Sequence, residues 1–202
     1  MKSASHAEAF REMLSAESGV GENEKLASRT TLRVGGPADI LIEPASQADL
    51  ALALRYCSAN NLPVFMLGRG SNLVIRDGGI RGVVIALKND AMSRIEVSGE
   101  ELHCGAGARL KHIANAARDA GLSGLEFLEG IPGCLGGALR MNAGAMGSAT
   151  FEVVQRVRFM SRDGQIEERP AAEMGAVYRS CPVLKDHVAL GAVLRGEPAD
   201  SE

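Results

Sequence analysis

Short apolar runs separated by turn residues predict several strands in the first half of the chain. These predicted strands are Ile40–Ile42, Pro63–Leu67, Leu73–Ile75 and Gly82–Leu87. Asp77–Gly79 marks a tight turn between the last two. Between the first two strands, apolar residues recur at helical spacing from the capping residue Ser46 to Asn60. Residues 1–28 are polar and weakly patterned, and they predict a short amphipathic helix with Phe10 on its apolar side.

The second half, from about Ala91, has the same mixture of strands and one helix. Its predicted strands are Ile95–Val97, Glu101–Cys104, Val153–Met160, Gln165–Glu168 and Val188–Leu194. Ser98–Glu100 and Asp163–Gly164 are predicted hairpin turns. A helix begins near Ala108 and ends at Gly121, because its apolar residues recur on one face. Strands outnumber helices in both halves, so the predicted fold class is α+β.

Composition and charge exclude several classes of function. The net charge is −3 and Trp is absent, which argues against a nucleic-acid partner. No apolar run approaches the roughly 18 residues of a membrane span, and Met1–Glu8 lacks the apolar segment of a secretory signal. The four cysteines are far apart and form no metal-ligand pair. We therefore expect free thiols and a cytoplasmic protein, with no metal, no membrane and no nucleic acid.

Glycine is abundant, at 24 of 202 residues, and a first group of glycines follows a predicted buried strand. Gly68 and Gly70, with Ser71 and Asn72 beside them, could turn backbone N–H groups toward one anion. Leu73 stands where a Rossmann fingerprint would need its third glycine, so that motif is excluded. Two interpretations stay open: a phosphate-binding nest, or a tight turn between strands.

A second group of glycines is denser. Residues 130–147 contain Gly130, Gly133, Gly136, Gly137, Gly144 and Gly147. These glycines could permit close packing of a short helix without any ligand. Alternatively, the backbone lines a cleft that a flat ligand enters. Two glycine-rich segments in one chain favour the cleft.

A third candidate is Tyr178–Ser180. Its Arg179 carries a planar guanidinium fork, which suits a carboxylate or an enolate oxygen developing in a transition state. The alternative is an arginine in a surface ion pair beside a half-buried Tyr178. The histidines share no ligand spacing, and no Ser-His-Asp arrangement is visible.

Taken in order, the motifs of the chain resemble the UDP-N-acetylenolpyruvoylglucosamine reductase family over roughly residues 26–195. The matching stretches are Thr30–Asp39, Leu67–Ile75, Gly78–Gly82, Gly124–Phe127, Gly130–Gly137, Met141–Ala145 and Tyr178–Ser180. These flavoenzymes use FAD, with NADPH as co-substrate, to reduce a small-molecule nucleotide sugar, UDP-N-acetylglucosamine enolpyruvate. The product, UDP-N-acetylmuramate, serves peptidoglycan synthesis.

The resemblance implies an α+β, two-subdomain FAD-binding fold of the PCMH/VAO type, with the flavin between the subdomains. It predicts an N-terminal lead-in helix over 1–28, FAD-binding subdomain 1 over 29–90 and FAD-binding subdomain 2 over 91–202. The implied cofactor-binding residues are Gly68, Gly70, Ser71, Asn72 and Leu73 near the pyrophosphate, and Pro132, Gly133, Gly137, Asn142, Ala143 and Gly144 along the flavin. Arg179 matches the arginine that stabilises the enolate, with Tyr178 shaping the site.

The chain also departs from the family pattern. Family members normally continue into a third domain that carries a proton-donating serine and an assisting glutamate, and neither can be assigned here. Met146 stands where the family usually has tyrosine. We therefore keep three expectations: a complete FAD-dependent reductase, a catalytically incomplete flavin-binding module or truncated fragment of that enzyme, or a glycine-rich domain without cofactor.

Overall fold

A computed structural model describes residues 5–199, and the chain divides into two compact units. Within the described residues, the first unit extends to Asn89 and adds Arg162–Gln165. The second unit takes Asp90–Ser161 and the residues from Ile166 onward. Both units combine helices with sheets, which confirms the α+β class.

The first unit is built on a four-stranded mixed sheet. Its elements are α1 (His6–Met13), β1 (Gly19–Lys25), a 3₁₀ helix (Leu26–Arg29), β2 (Pro37–Glu43), α2 (Gln47–Ala59), β3 (Val64–Leu67) and β4 (Ile80–Ala86). The strand order is β1-β2-β4-β3. The strands β2, β4 and β3 run parallel, and β1 pairs antiparallel with β2 at the edge.

Helix α2 forms as its sequence predicts. The Ser46 hydroxyl accepts a hydrogen bond from the Asp49 backbone N–H, which caps the helix. Leu50, Leu54 and Cys57 lie buried on one face. Because the crossover from β2 to β3 contains this helix, the two strands can run parallel to the central β4.

A buried carboxylate ties the start of α2 to the loop after α1. Asp49 accepts hydrogen bonds from the Ser15 backbone N–H at 3.0 Å and the Ser15 hydroxyl at 2.8 Å, and the Ser46 hydroxyl adds another at 2.8 Å. Burial by itself would raise the pKa of the Asp49 carboxyl. These hydrogen bonds outweigh burial and hold the pKa below its ordinary value.

Two sequence predictions in this unit are wrong or incomplete. The predicted strand Leu73–Ile75 is absent, because its backbone has no ladder partner within residues 5–199. Its apolar character instead serves packing, since Ile75 is buried and Leu73 packs on the same core. The edge strand β1 lies in residues 1–28, where only a helix was expected.

The second unit is built on a five-stranded antiparallel sheet of order β11-β10-β12-β6-β5. Its strands are β5 (Ile95–Ser98), β6 (Glu101–Gly105), β7 (Leu122–Ser123), β8 (Gly144–Ala145), β9 (Ser148–Ala149), β10 (Val154–Met160), β11 (Ile166–Pro170), β12 (Val188–Arg195) and β13 (Glu197–Pro198). Its helices are α3 (Asp90–Ser93), α4 (Leu110–Asp119), α5 (Leu135–Met141) and α6 (Thr150–Val153), with 3₁₀ helices at Glu126–Gly130, Ala171–Met174 and Val183–Lys185.

The predicted hairpins and the predicted helix of this half are confirmed. Strands β5 and β6 pair across the turn at Gly99, whose φ is +60°. Strands β10 and β11 pair across the turn containing Gly164, whose φ is +80°. Helix α4 buries Leu110, Ile113, Ala114 and Ala117.

All four cysteines are free thiols, as expected. Three of them are buried, whereas Cys134 is only partly covered. Burial raises the pKa of Cys104 to about 12 and that of Cys57 to about 11, so neither thiol is reactive near neutral pH. None of the helices within residues 5–199 is long and apolar enough to cross a membrane.

Candidate functional site

The first glycine-rich segment begins where a buried parallel strand ends. Leu67, the last residue of β3, is buried in the core of the first unit. On the other side of the segment, Ile75 enters the same core and Leu73 packs against it. Residues 68–72 are therefore held at both ends at the carboxyl edge of the parallel strands, which is where α/β sheets bind ligands.

Gly70 is required by the fold itself. Its φ is +63°, and a Cβ there would lie 2.5 Å from the Arg29 carbonyl oxygen and 2.8 Å from the Thr30 Cα. The Gly70 carbonyl accepts a hydrogen bond from the Thr31 N–H at 3.2 Å. This glycine lets two loops touch backbone to backbone.

Gly68 is different, because nothing within residues 5–199 requires a glycine there. It is exposed, a Cβ would meet no atom within 4 Å, and its φ is not positive. The open space lets a ligand approach the backbone N–H groups closely, and the protein leaves that space free of side chains.

Three exposed arginines lie in this segment or in the loops next to it. Arg33, Arg69 and Arg76 are exposed, and within residues 5–199 none of the three forms an ion pair. Their loops are joined, because the Gly36 N–H donates to the Arg76 carbonyl at 3.0 Å. An open backbone beside uncompensated guanidinium groups fits a pyrophosphate.

An ion pair holds the neighbouring loop in place. Arg29 donates to both carboxylate oxygens of Glu43, at 2.7 and 3.4 Å. The hydrogen bond from Arg29 is the main reason that the pKa of Glu43 lies below its ordinary value. Because Thr30 follows Arg29 and contacts Gly70, the pair fixes the backbone that supports the segment.

The second glycine-rich segment contains the short helix α5, and its two adjacent glycines have different surroundings. Gly136 faces inward, and a Cβ there would lie 3.1 Å from the Ala106 Cβ. Gly137 faces outward, is exposed, and would place a Cβ in open space. Both interpretations of the segment are therefore represented: close packing at one glycine and an open backbone face at the next.

The end of α5 is fixed by its neighbours. Asn142 has a left-handed backbone, with φ 40° and ψ 54°, and it ends the helix. Its Oδ1 accepts the Phe151 N–H at 3.1 Å. The carbonyl of Ala143 accepts both the N–H and the hydroxyl of the buried Thr150, at 2.9 and 2.7 Å. No motif in the sequence pointed to Thr150.

Tyr178 and Arg179 form the tip of a tight turn. Val177 and Ser180 exchange two backbone hydrogen bonds, of 2.8 and 3.1 Å. Arg179 has φ +58°, a strained conformation for arginine. Tyr178 is 87% exposed, and the guanidinium carbon lies 5.7 Å from its ring centre. Arg179 forms no ion pair with any residue of 5–199, and Tyr178 is not half-buried, so the alternative interpretation of a surface ion pair beside a half-buried tyrosine is wrong.

This turn is hydrogen-bonded to the end of α5. The Nδ2 of Asn142 donates to the Val177 carbonyl at 3.2 Å, and the Cys181 N–H donates to the Arg140 carbonyl at 3.0 Å. Two motifs that the sequence suggested separately, the glycine-rich segment and the Tyr178–Arg179 pair, therefore lie together within the second unit.

The remaining predicted residues occupy varied positions. Asn72, Pro132 and Gly144 are exposed, and Ser71 is half-buried. The Gly133 carbonyl accepts the Leu110 N–H at 3.2 Å, so this glycine anchors α4. In the part of the chain that the structure describes, no cluster of His, Cys, Asp and Glu could hold a metal ion.

Comparison with known proteins identifies the family. The sequence matches the FAD binding domain family over residues 38–169. The chain belongs to this family. FAD is therefore its cofactor, and the open glycines and unpaired arginines fit that group. The chain also resembles the solved structure of 6-hydroxy-D-nicotine oxidase from Arthrobacter nicotinovorans, with a TM-score of 0.70 at 17% identity over 91% of this chain and 43% of that chain. This likeness confirms the PCMH/VAO-type fold.

More similar relatives share one name. A UDP-N-acetylenolpyruvoylglucosamine reductase of Methylorubrum extorquens is 45% identical over 90% of this chain and 58% of that protein. The protein of the same name from Clostridium tetani is 38% identical over 91% of this chain and 59% of that protein. The crystal structure of the Thermus caldophilus reductase has a TM-score of 0.76 and 31% identity, over 91% of this chain and 63% of that one. The chain thus spans less than two thirds of these relatives.

Proposed function

We propose that this chain carries the FAD-binding part of a UDP-N-acetylenolpyruvoylglucosamine reductase, which reduces UDP-N-acetylglucosamine enolpyruvate with NADPH in peptidoglycan synthesis. The observation that carries the proposal is the attachment of the Tyr178–Arg179 turn to the end of α5. That attachment joins a candidate anion-stabilising group to an open glycine-rich backbone, in a chain with similar relatives of that name.

In this proposal the first segment binds the pyrophosphate of FAD. Gly68, Gly70, Ser71, Asn72 and Leu73 present backbone and side-chain donors, and Leu73 contributes through its backbone because its side chain packs on the core. Open space at Gly68 supports close approach of a phosphate oxygen. The unpaired arginines nearby neutralise its charge.

The second segment lines the flavin in this proposal, through Pro132, Gly133, Gly137, Asn142, Ala143 and Gly144. Bound FAD supplies the hydride-transfer chemistry, which no side chain can provide. The open face at Gly137 leaves room for a flat ring system, and the hydrogen bonds of Asn142 and Thr150 keep the backbone rigid behind it.

Arg179 acts on the substrate in this scheme. Hydride addition to C3 of the enolpyruvyl group leaves negative charge that is delocalised from C2 into the carboxylate as an enolate. A fixed guanidinium fork stabilises that charge until a proton is added at C2. Tyr178 lies against the guanidinium and limits its freedom. The two units correspond to the two FAD-binding subdomains, and the enzyme acts in the cytoplasm on a nucleotide sugar.

The test is a coupled optical assay on the purified protein loaded with FAD. Adding UDP-N-acetylglucosamine enolpyruvate is expected to accelerate NADPH oxidation, followed by the fall in NADPH absorbance. Retained yellow flavin without acceleration would contradict turnover by this chain and support a flavin-binding module. A protein that stays colourless after incubation with FAD would contradict the cofactor assignment.

Adjacent alanine substitutions in α5 test the proposed flavin face. Gly137→Ala is expected to stabilise the apo protein by about 0.5–1 kcal/mol, because alanine is the better helix former and meets no neighbour. The same substitution is expected to weaken FAD binding about tenfold or more, because a methyl group enters the ligand's space. Chemical unfolding and FAD titration measure the two effects.

Gly136→Ala is the matched control. Its methyl group meets Ala106, so stability is expected to fall by about 1–3 kcal/mol. Unchanged FAD affinity in Gly137→Ala would remove that glycine from the proposed cofactor site.

A further inference from the structure

Asn142 makes two side-chain hydrogen bonds that point in different directions along the chain. Its Oδ1 accepts the Phe151 N–H at the start of α6, and its Nδ2 donates to the Val177 carbonyl at the base of the Tyr178–Arg179 turn. Its left-handed backbone, with φ 40°, also ends α5. Through its side chain and its backbone, this one residue thus joins three segments of the second unit.

The turn itself needs external support. Arg179 is strained at φ +58°, and both Tyr178 and Arg179 are exposed, so few contacts hold the tip. Both ends of the turn are hydrogen-bonded to the end of α5. One bond runs from the Cys181 N–H to the Arg140 carbonyl, and the other runs from the Asn142 amide to the Val177 carbonyl. The second bond is the one that depends on a side chain, and substitution can remove it.

We propose that Asn142 is a positioning residue that clamps the Tyr178–Arg179 turn to the end of α5, so that the flavin-binding backbone and the guanidinium are held as one unit. This inference rests on the proposed function for the role of Arg179. The clamp couples the mobility of the two segments. A ligand that immobilises the end of α5 also immobilises the turn, and a ligand on the turn immobilises the end of α5. Asn142 acts through Arg179 and transfers no proton or electron itself.

Trypsin gives a direct readout, because it cleaves after arginine and the Arg179–Ser180 bond lies in the turn. Cleavage requires local opening, so its rate follows the population of the opened turn. Asn142→Asp keeps the Oδ1 acceptor and tolerates the left-handed backbone, yet it places a carboxylate oxygen against the Val177 carbonyl. Loss of this hydrogen bond is expected to accelerate cleavage at Arg179 about three- to tenfold in the apo protein.

The FAD-loaded protein tests the coupling. FAD is expected to slow cleavage at Arg179 in the wild-type chain. Asn142→Asp is expected to lose that protection even at FAD concentrations that an absorbance titration shows to saturate the variant. A purely structural loss would lower the melting temperature and speed cleavage everywhere. Cleavage at the exposed Arg109 and Arg118 of the same unit, followed by mass spectrometry in the same apo digests, is therefore expected to stay unchanged.

Asn61→Asp is the matched control, because Asn61 is exposed and also left-handed, with φ 54°. Asn142→Gly removes both hydrogen bonds while keeping the backbone conformation, and it is expected to repeat the result if Asn142→Asp folds poorly. Wild-type cleavage rates at Arg179 in both Asn142→Asp and Asn142→Gly would overturn the clamp. Flavin that binds the wild type without protecting Arg179 would overturn the coupling but leave the proposed reductase standing.

Discussion

Gly79→Ala is expected to destabilise the first unit severely. Gly79 has φ +74°, and a Cβ there would overlap the carbonyl oxygen of Pro37 and lie 2.7 Å from the Pro37 nitrogen. The Gly79 N–H also donates to the Arg76 carbonyl at 2.9 Å, so the turn cannot move away without losing this bond. Left-handed strain and backbone overlap together are expected to cost roughly 2–6 kcal/mol.

That cost is a large fraction of the stability of a small domain, which is about 5–15 kcal/mol. Urea unfolding measures the loss of stability as a lower unfolding midpoint for the first unit. The variant is also expected to lose FAD binding. Gly78→Ala is the matched control, one residue earlier in the same turn. A Cβ at Gly78 would meet no described atom within 4 Å, and its φ is not positive, so alanine is expected to leave stability unchanged or slightly raised. Equal unfolding midpoints in the two variants would contradict the packing argument.

Arg179→Ala is expected to lower the turnover of the FAD-loaded protein about 10²- to 10³-fold, the typical effect of removing one donor to a developing oxyanion. The turnover of Arg179→Lys is expected to lie between those of the wild type and Arg179→Ala, because an ammonium group supplies charge without the planar fork. Flavin absorption and FAD affinity are expected to stay at wild-type values, since the turn carries none of the proposed cofactor-binding residues. The NADPH assay and an FAD titration separate the two properties.

Two controls make this result specific. Arg179→Gly is expected to be as inactive as Arg179→Ala but at least as stable as the wild type, because glycine adopts φ +58° without strain. Arg158→Lys, at an exposed position on β10, is expected to keep full activity. Wild-type turnover in Arg179→Ala would remove this arginine from the reaction.

The sequence predicted the elements whose patterns are local. The Ser46 cap and the buried face of α2, the apolar face of α4 and the hairpin turns at Gly99 and Gly164 are all observed. Each of these depends on residues a few positions apart, which is why spacing alone predicts them.

The sequence failed where pairing decides the structure. The residues of β1 are mostly polar and exposed, and they form a strand because β2 offers them an open edge. Leu73–Ile75 has the apolar content of a strand, yet its backbone finds no ladder partner and its side chains serve the core.

For the candidate site, the sequence by itself determined the two glycine-rich segments, the Tyr178–Arg179 pair and the family resemblance. Only the tertiary structure separated the glycines with close neighbours, such as Gly70 and Gly136, from Gly68 and Gly137, which face open space. Only the structure joined Asn142 to the arginine turn. The physical reason is that the sequence shows which residues lack a side chain, but the atoms that an added side chain would meet belong to distant parts of the chain.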